Sequence, residues 1–108
     1  MENQPTKEKL NEIPTLYETD HISTKEKIIH LHFFFGASDW FIAEFDNRET
    51  FFGFVILNGD FENAEWGYIS FSEIKSINFY GMQVDNDIHW DVRKASEVEK
   101  ICEAQRWF

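Results

Sequence analysis

The chain has 108 residues, a net charge of −10, 43% hydrophobic and 18% aromatic content, and a single cysteine. These values exclude a disordered chain, a second hydrophobic core and an intramolecular disulfide. They also speak against direct nucleic-acid binding, which depends on Lys and Arg replacing the counterions of phosphates.

Residues 1–12 are polar and charged, and are expected to form a mobile N-terminal segment of one domain spanning 1–108. Within them, residues 6–11 carry a weak helical signal with Thr6 as cap. Pro14 stops any helix at or before Ile13, and residues 19–24 read as loop. Alternation over 27–35 predicts a first strand, with Ile29, Leu31 and Phe33 on one face and Ile28, His30, His32 and Phe34 on the other. Turn chemistry at 36–39 leads to a second strand over 40–45, closed by Asp46-Asn47. A third strand over 50–57 is apolar on both faces, as a central or covered strand would be. Asn58-Gly59-Asp60 turns the chain into a fourth strand over 65–71.

Ser70-Phe71-Ser72-Glu73 has the spacing of a capping box and predicts a short helix through Ile77. A turn at Gly81 precedes a fifth strand over 87–92, with Ile88, Trp90 and Val92 on one face and Asp87, His89 and Asp91 on the other. Ser96-Glu97-Val98-Glu99 repeats the capping-box spacing. It predicts a C-terminal helix with Val98, Ile101, Cys102 and Gln105 on one stripe. The connections suit hairpins, so the expected fold is α+β: an antiparallel meander of four to five strands, a short helix after strand four and a C-terminal helix.

The charge is concentrated. Residues 37–91 hold eleven of the twenty acids and two of the ten bases, and so carry −9 of the net −10. The same stretch is the richest in Phe and Trp. One sign of charge on a packed domain builds a field that repels nucleic acid and attracts basic surfaces. The plainer reading is that the acids only keep the domain soluble.

Two patterns bear on chemistry. His30 and His32 share a strand face, as do Asp87, His89 and Asp91. If those faces met, a His and Asp set would suit Zn²⁺ or another first-row ion, although strand alternation alone also produces such spacing. The glycines match no phosphate loop or dinucleotide motif, and no cofactor motif is present. Gly53 and Gly67, inside strands, mark bulges or close backbone approach. The N-terminus lacks the basic lead and apolar run of a signal peptide, and the apolar runs at 33–35 and 51–57 are far short of a membrane span. A lone Cys102 fits a reducing compartment. The expectation is a cytoplasmic protein with no membrane contact.

Several segments carry a resemblance: Ile13-Pro14-Thr15-Leu16-Tyr17-Glu18-Thr19, Lys27-Ile28-Ile29-His30-Leu31-His32-Phe33-Phe34 and Trp40-Phe41-Ile42-Ala43-Glu44-Phe45-Asp46, then Phe51-Phe52-Gly53-Phe54-Val55, Glu65-Trp66-Gly67-Tyr68-Ile69-Ser70-Phe71-Ser72-Glu73 and Asp87-Ile88-His89-Trp90. In order and spacing they resemble the uncharacterised bacterial and phage family called domain of unknown function 2958, over residues 13–92. The resemblance implies a small cytosolic domain carried on phages, plasmids and other mobile elements, with no catalytic residues to transfer. After Trp90 this chain leads through Asp91-Val92-Arg93-Lys94 into a helix, where family members commonly run into a Pro-containing segment.

Charge and resemblance together predict an acidic inhibitor encoded by a mobile element. Its partner would be a basic nucleic-acid-binding host protein, such as a CRISPR nuclease or a restriction enzyme, whose groove it occupies in place of nucleic acid. The expected contact residues are Asp39, Glu44, Asp46, Glu49, Asp60, Glu62 and Glu65, with Phe61 and Trp66 as apolar anchors. The alternative is a small metal-dependent or accessory enzyme of mobile-element DNA metabolism using His30, His32, Asp87, His89 and Asp91. A third possibility is a housekeeping binding module with ordinary solubilising acids.

Overall fold

A computed structural model describes residues 1–108. Five strands form the main antiparallel sheet: β2 (Leu31–Phe35), β3 (Ser38–Phe45), β4 (Thr50–Ile56), β5 (Glu65–Ser70) and β8 (Asp85–Asn86). Their order is β5-β4-β3-β2-β8, so the four long strands are a meander and β8 pairs onto β2. Two short ladders complete the strand set: β1 (Ile28–Ile29) with β9 (Arg93–Lys94), and β6 (Asn78–Phe79) with β7 (Met82–Gln83). The helices are α1 (Lys7–Asn11), α2 (Phe71–Ser76) and α3 (Glu99–Gln105). The α+β fold, the short helix after the fourth meander strand and the C-terminal helix are as the residue pattern predicts.

Both faces of the sheet are covered, which explains the aromatic content. One face packs Phe33, Trp40, Ile42, Phe45 and Phe51 under Phe71 and Ile74 of α2, with Ile13 and Val84 closing the margins. The other packs Phe41, Phe54 and Ile56 under Ala95, Val98 and Ile101 of the C-terminal segment. Each fully buried aromatic contributes about 1.5–3 kcal/mol relative to exposure. The local signals that start the helices are realised: Thr6 Oγ1 accepts the Lys9 N–H at 3.1 Å, and Ser70 Oγ accepts the Glu73 N–H at 3.1 Å.

A bulge shapes the middle of the sheet. β3 and β4 pair as Ile42 with Gly53 and then Glu44 with Phe52, leaving Ala43 extra. The inserted residue resets the alternation, so Phe45 rejoins Ile42 and Trp40 in the first cluster. Gly53 lies at this irregularity. A Cβ there would sit 2.0 Å from the Phe41 carbonyl oxygen, whereas a Cβ at Gly67 meets nothing within 4 Å. Close backbone approach therefore applies to Gly53 alone.

Four expectations shift. The strand over 27–35 is broken at His30 into β1 and β2. The fifth strand is Asp85–Asn86, not 87–92. The Asp87 carboxylate accepts the His89 N–H at 3.0 Å and the Asp87 carbonyl accepts the Trp90 N–H at 3.2 Å, so this stretch folds as a turn rather than an alternating strand. The C-terminal capping signal acts earlier than predicted: Glu97 reaches back to the Lys94 N–H at 3.2 Å across a 3₁₀ turn (Ala95–Glu97), and α3 starts at Glu99. Finally, the N-terminal segment is docked. The Glu2 N–H donates to the Val84 carbonyl at 2.8 Å, and Met1 and Leu10 pack on the first cluster.

The two strand glycines give a paired prediction. Gly53→Ala lowers stability by about 3 kcal/mol, because rigid backbone must move to admit the methyl. Gly67→Ala stays within about 0.5 kcal/mol of the parent. Urea denaturation of both variants checks this through the midpoint shift.

Candidate functional site

The seven acids expected to contact a partner divide into three groups according to what their carboxylates touch. The first group is buried. Asp39 and Glu44 lie near opposite ends of β3, each 2% exposed. Asp39 Oδ1 takes His32 Nε2 at 2.7 Å and its Oδ2 takes Lys100 Nζ at 3.0 Å. His32 Nδ1 in turn lies 3.1 Å from Asp87 Oδ2. The contacts link Asp87, His32, Asp39 and Lys100 in a row. The imidazole is stacked on Phe41, with ring centroids 4.6 Å apart, and Trp90 lies 5.1 Å from it. Burial alone would raise the Asp39 carboxyl. The hydrogen bonds from His32 and Lys100 outweigh it and hold the group below its ordinary value.

Glu44 is satisfied differently. It accepts the Tyr17 and Thr19 backbone N–H groups at 3.0 Å each, and also the Thr19 hydroxyl. Lys27, itself buried, donates to the Thr19 carbonyl at 2.6 Å. Carboxylates so enclosed cannot belong to a contact array, and Asp39 and Glu44 are removed from the expected partner surface.

The second group ties the surface of the same sheet end together. Asp46 Oδ1 accepts the Arg48, Glu49 and Thr50 N–H groups at 2.8, 2.8 and 3.0 Å. Slight burial raises its pKa, and these bonds reverse the sign and lower it. Glu49 accepts the Ser70 hydroxyl at 2.6 Å, with the Ser72 hydroxyl and N–H beside it, and these bonds lower its pKa.

The third group lies on and beside the β4–β5 connection. Asp60, Glu62 and Glu65 are exposed; Asp60 is held by the Asn63 side chain at 2.7 Å and backbone N–H at 3.2 Å, which lower its pKa. The predicted anchors in this region are not free. Phe61 and Trp66 pack on the second core cluster, and Trp66 Nε1 donates to Gln105 at 3.1 Å.

The residues of the metal alternative are separated. His32 and Asp87 meet, but each His32 nitrogen faces a carboxylate. His30, at the break between β1 and β2, instead lines a groove of about 420 Å³ with Asn3, Lys9 and Asp87. Burial and then the Lys9 ammonium lower its pKa, against Glu12. His89 and Asp91 are exposed on the turn. No group of three His, Cys, Asp or Glu side chains is placed to hold a metal ion.

One surface went unread in the residue pattern. The hairpin β6–β7 carries Phe79, Tyr80 and Met82 in solvent at 57%, 92% and 56% exposure. Its signal was a bulky residue immediately before the turn glycine, at a place Asn or Asp ordinarily fills.

Fold and site together define a small α+β domain with a hydrogen-bonded polar cluster around the buried Asp39, an acidic loop at one sheet end and an exposed aromatic hairpin. The chain belongs to the family described as protein of unknown function (DUF2958), whose model matches residues 5–103. That match runs past Trp90 and ends within α3. No curated protein and no solved structure matches the chain.

The Asp39 cluster makes a stability prediction with a definite sign. The folded pKa lies below the ordinary 3.8, so the contribution is complete above about pH 5 and is lost as pH falls through the folded value. Asp39→Asn, which leaves His32 and Lys100 without their carboxylate, costs about 3 kcal/mol at neutral pH. Urea unfolding at several pH values should show the gap between parent and variant narrowing below about pH 4.

Proposed function

We propose that this domain is an acidic protein-binding inhibitor that occupies the basic groove of a nucleic-acid-binding host protein. A defence protein of a cell invaded by a mobile element, such as a CRISPR nuclease or a restriction enzyme, is the class of target. The observation that carries this reading is the sign of the charge over β4, β5 and α2. No Lys, Arg or His occurs between Arg48 and Lys75, and within that stretch Asp60, Glu62, Glu65 and Glu73 face solvent. Arg106, beside Glu62 and Glu103 across a shallow groove, is a local counter-charge.

The mechanism is competition for cationic side chains. Lys and Arg that neutralise phosphates accept carboxylates in the same positions. A carboxylate already held in place, as Asp60 is by Asn63, loses less side-chain freedom on contact than a mobile one. Asp39 and Glu44 contribute only by fixing the sheet that carries the others, Asp46 and Glu49 are engaged by the chain's own N–H and hydroxyl groups at the far end, and the contact set contracts to Asp60, Glu62 and Glu65. No observation favours the metal-dependent alternative, whose ligands are not assembled.

The test is displacement of a labelled DNA duplex or guide RNA from a CRISPR nuclease and from a restriction enzyme. The wild-type chain should compete, and should compete less well at about 200 mM than at about 50 mM salt, because attraction between exposed charges is screened. The triple variant Asp60→Asn, Glu62→Gln, Glu65→Gln should weaken competition by roughly tenfold or more. Competition indifferent to salt, or a triple variant equal to wild type, would sink the reading.

A further inference from the structure

We infer that the groove between hairpin β6–β7 and the end of β2 is a docking site for a basic segment of a partner protein, one that inserts an apolar side chain between flanking Lys or Arg residues. The inference names a second part of the partner's surface, and it rests on the reading above only for the sign of the partner's charge.

The hairpin is costly to present. Tyr80 and Gly81 both have positive φ, 53° and 86°, which is the pattern of the tight two-residue turns favoured in hairpins. Glycine adopts it freely. A bulky aromatic does not, and Asn, Asp or Gly ordinarily stands there. Tyr80 obtains no burial in return: it is 92% exposed and its near aromatic contact is the Phe79 ring, 4.6 Å away. With Phe79 and Met82 also more than half exposed, three large apolar side chains share one small projection. A strained position that serves no internal packing points outward, to binding.

Beside the projection lies a groove of about 420 Å³ lined by Phe34, Phe35, Phe79 and Met82 together with Glu2, Gln83 and Asp85; the Asn3 amide donates to Asp85 at 2.9 Å and the N-terminal ammonium donates to Gln83, so Glu2 is the acid left without a partner. It is of the size that a large side chain enters. The sign of the charge selects the occupant. Two copies of a chain of net charge −10 repel one another, and a symmetric contact would set the Glu2 and Asp85 patches together. Nucleic acid and anionic lipid are repelled for the same reason. A peptide segment with apolar residues between cations satisfies both the apolar walls and the charge. The acidic loop lies at the same end of the sheet: the turn after β2 lines this groove through Gly36, while the Ala37 carbonyl accepts the Gly59 N–H at 2.8 Å. One basic partner can therefore cover both.

The experiment is an amide-resolved NMR titration of the full chain with a short peptide bearing a Leu-Trp pair between Lys-Lys flanks. The expected result is saturable shifts confined to residues 34–37 and 79–85, and binding at least about tenfold weaker when Ala-Ala replaces Leu-Trp or Glu-Glu replaces the flanks. Phe79→Ser with Met82→Ser should abolish the shifts. Tyr80→Asn separates binding from folding: Asn tolerates the left-handed turn, so Tm should hold or rise while peptide affinity falls. A Tyr80→Asn variant that loses Tm, shifts scattered over the surface, or a dimer dissolved by the Phe79 and Met82 changes would overturn the inference. Peptide binding without duplex displacement would remove the inhibitor reading alone. Duplex displacement without hairpin shifts would remove this one alone.

Discussion

The structure depends on a central strand that cannot be solvated. β3 lies in the middle of the five-stranded sheet, and all eight of its residues are buried. A strand in that position is ordinarily apolar throughout, yet this one carries Asp39 and Glu44. An unpaired carboxylate in such surroundings costs several kcal/mol, so each must recruit donors. Asp39 draws His32 from β2 and Lys100 from α3, and through His32 the turn at Asp87. Glu44 draws the Tyr17 and Thr19 amides from a loop that Lys27 and the Phe45 N–H also hold, at the Thr19 and Pro14 carbonyls. The segments outside the sheet are thus attached by polar demand as well as by the two apolar clusters.

Pairing of this kind specifies position more than it adds stability. An ion pair recovers little beyond the desolvation it suffers, and burial of Phe33, Phe51, Phe54 and Ile101 supplies the larger favourable term. Apolar contact tolerates sliding, whereas the fork of Asp39 between an imidazole and an ammonium does not. The placement of α3 over Phe54, and of the Asp87 turn with its Trp90 cover over Phe41, follows from that geometry. Trp90 is itself pinned by its indole N–H to the Ile29 carbonyl at 2.9 Å.

What the residue pattern discloses and what it hides separate along one line. Alternation in the first and apolar runs bounded by turn residues in the others place the four meander strands. Ser70 and Thr6 mark their helices because a cap acts within three residues. Asp87 misleads because its side chain bonds two residues ahead and converts an apparently alternating run into a turn. Asp39 and Glu44 mislead because an acid on a strand reads as solvent-facing. The partners that bury them, Lys100 and Thr19, lie 61 and 25 residues away, beyond any local pattern. The aromatics fail in the opposite sense. Trp66 and Phe61 look like surface anchors beside acids and are half-buried against the core, while Phe79 and Tyr80, in what reads as an ordinary turn, stand in solvent.

The consequence is a molecule whose two ends are unlike. At the end holding the β3–β4 turn, acids serve the fold: Glu44 fastens the loop at 17–19, Asp46 closes its own turn, and Glu49 joins that turn to Ser70 and Ser72. Each of these carboxylates is already bonded within the chain. At the opposite end, Glu62 and Glu65 stand in solvent beside Asp60, which is held by its near neighbours, and the hairpin shares a groove with the turn at Gly36. A net charge of −10 taken as a whole says little about where a partner sits. Divided by what each carboxylate already bonds, it leaves one end of the sheet with charge and apolar surface both unspent, and binding belongs there.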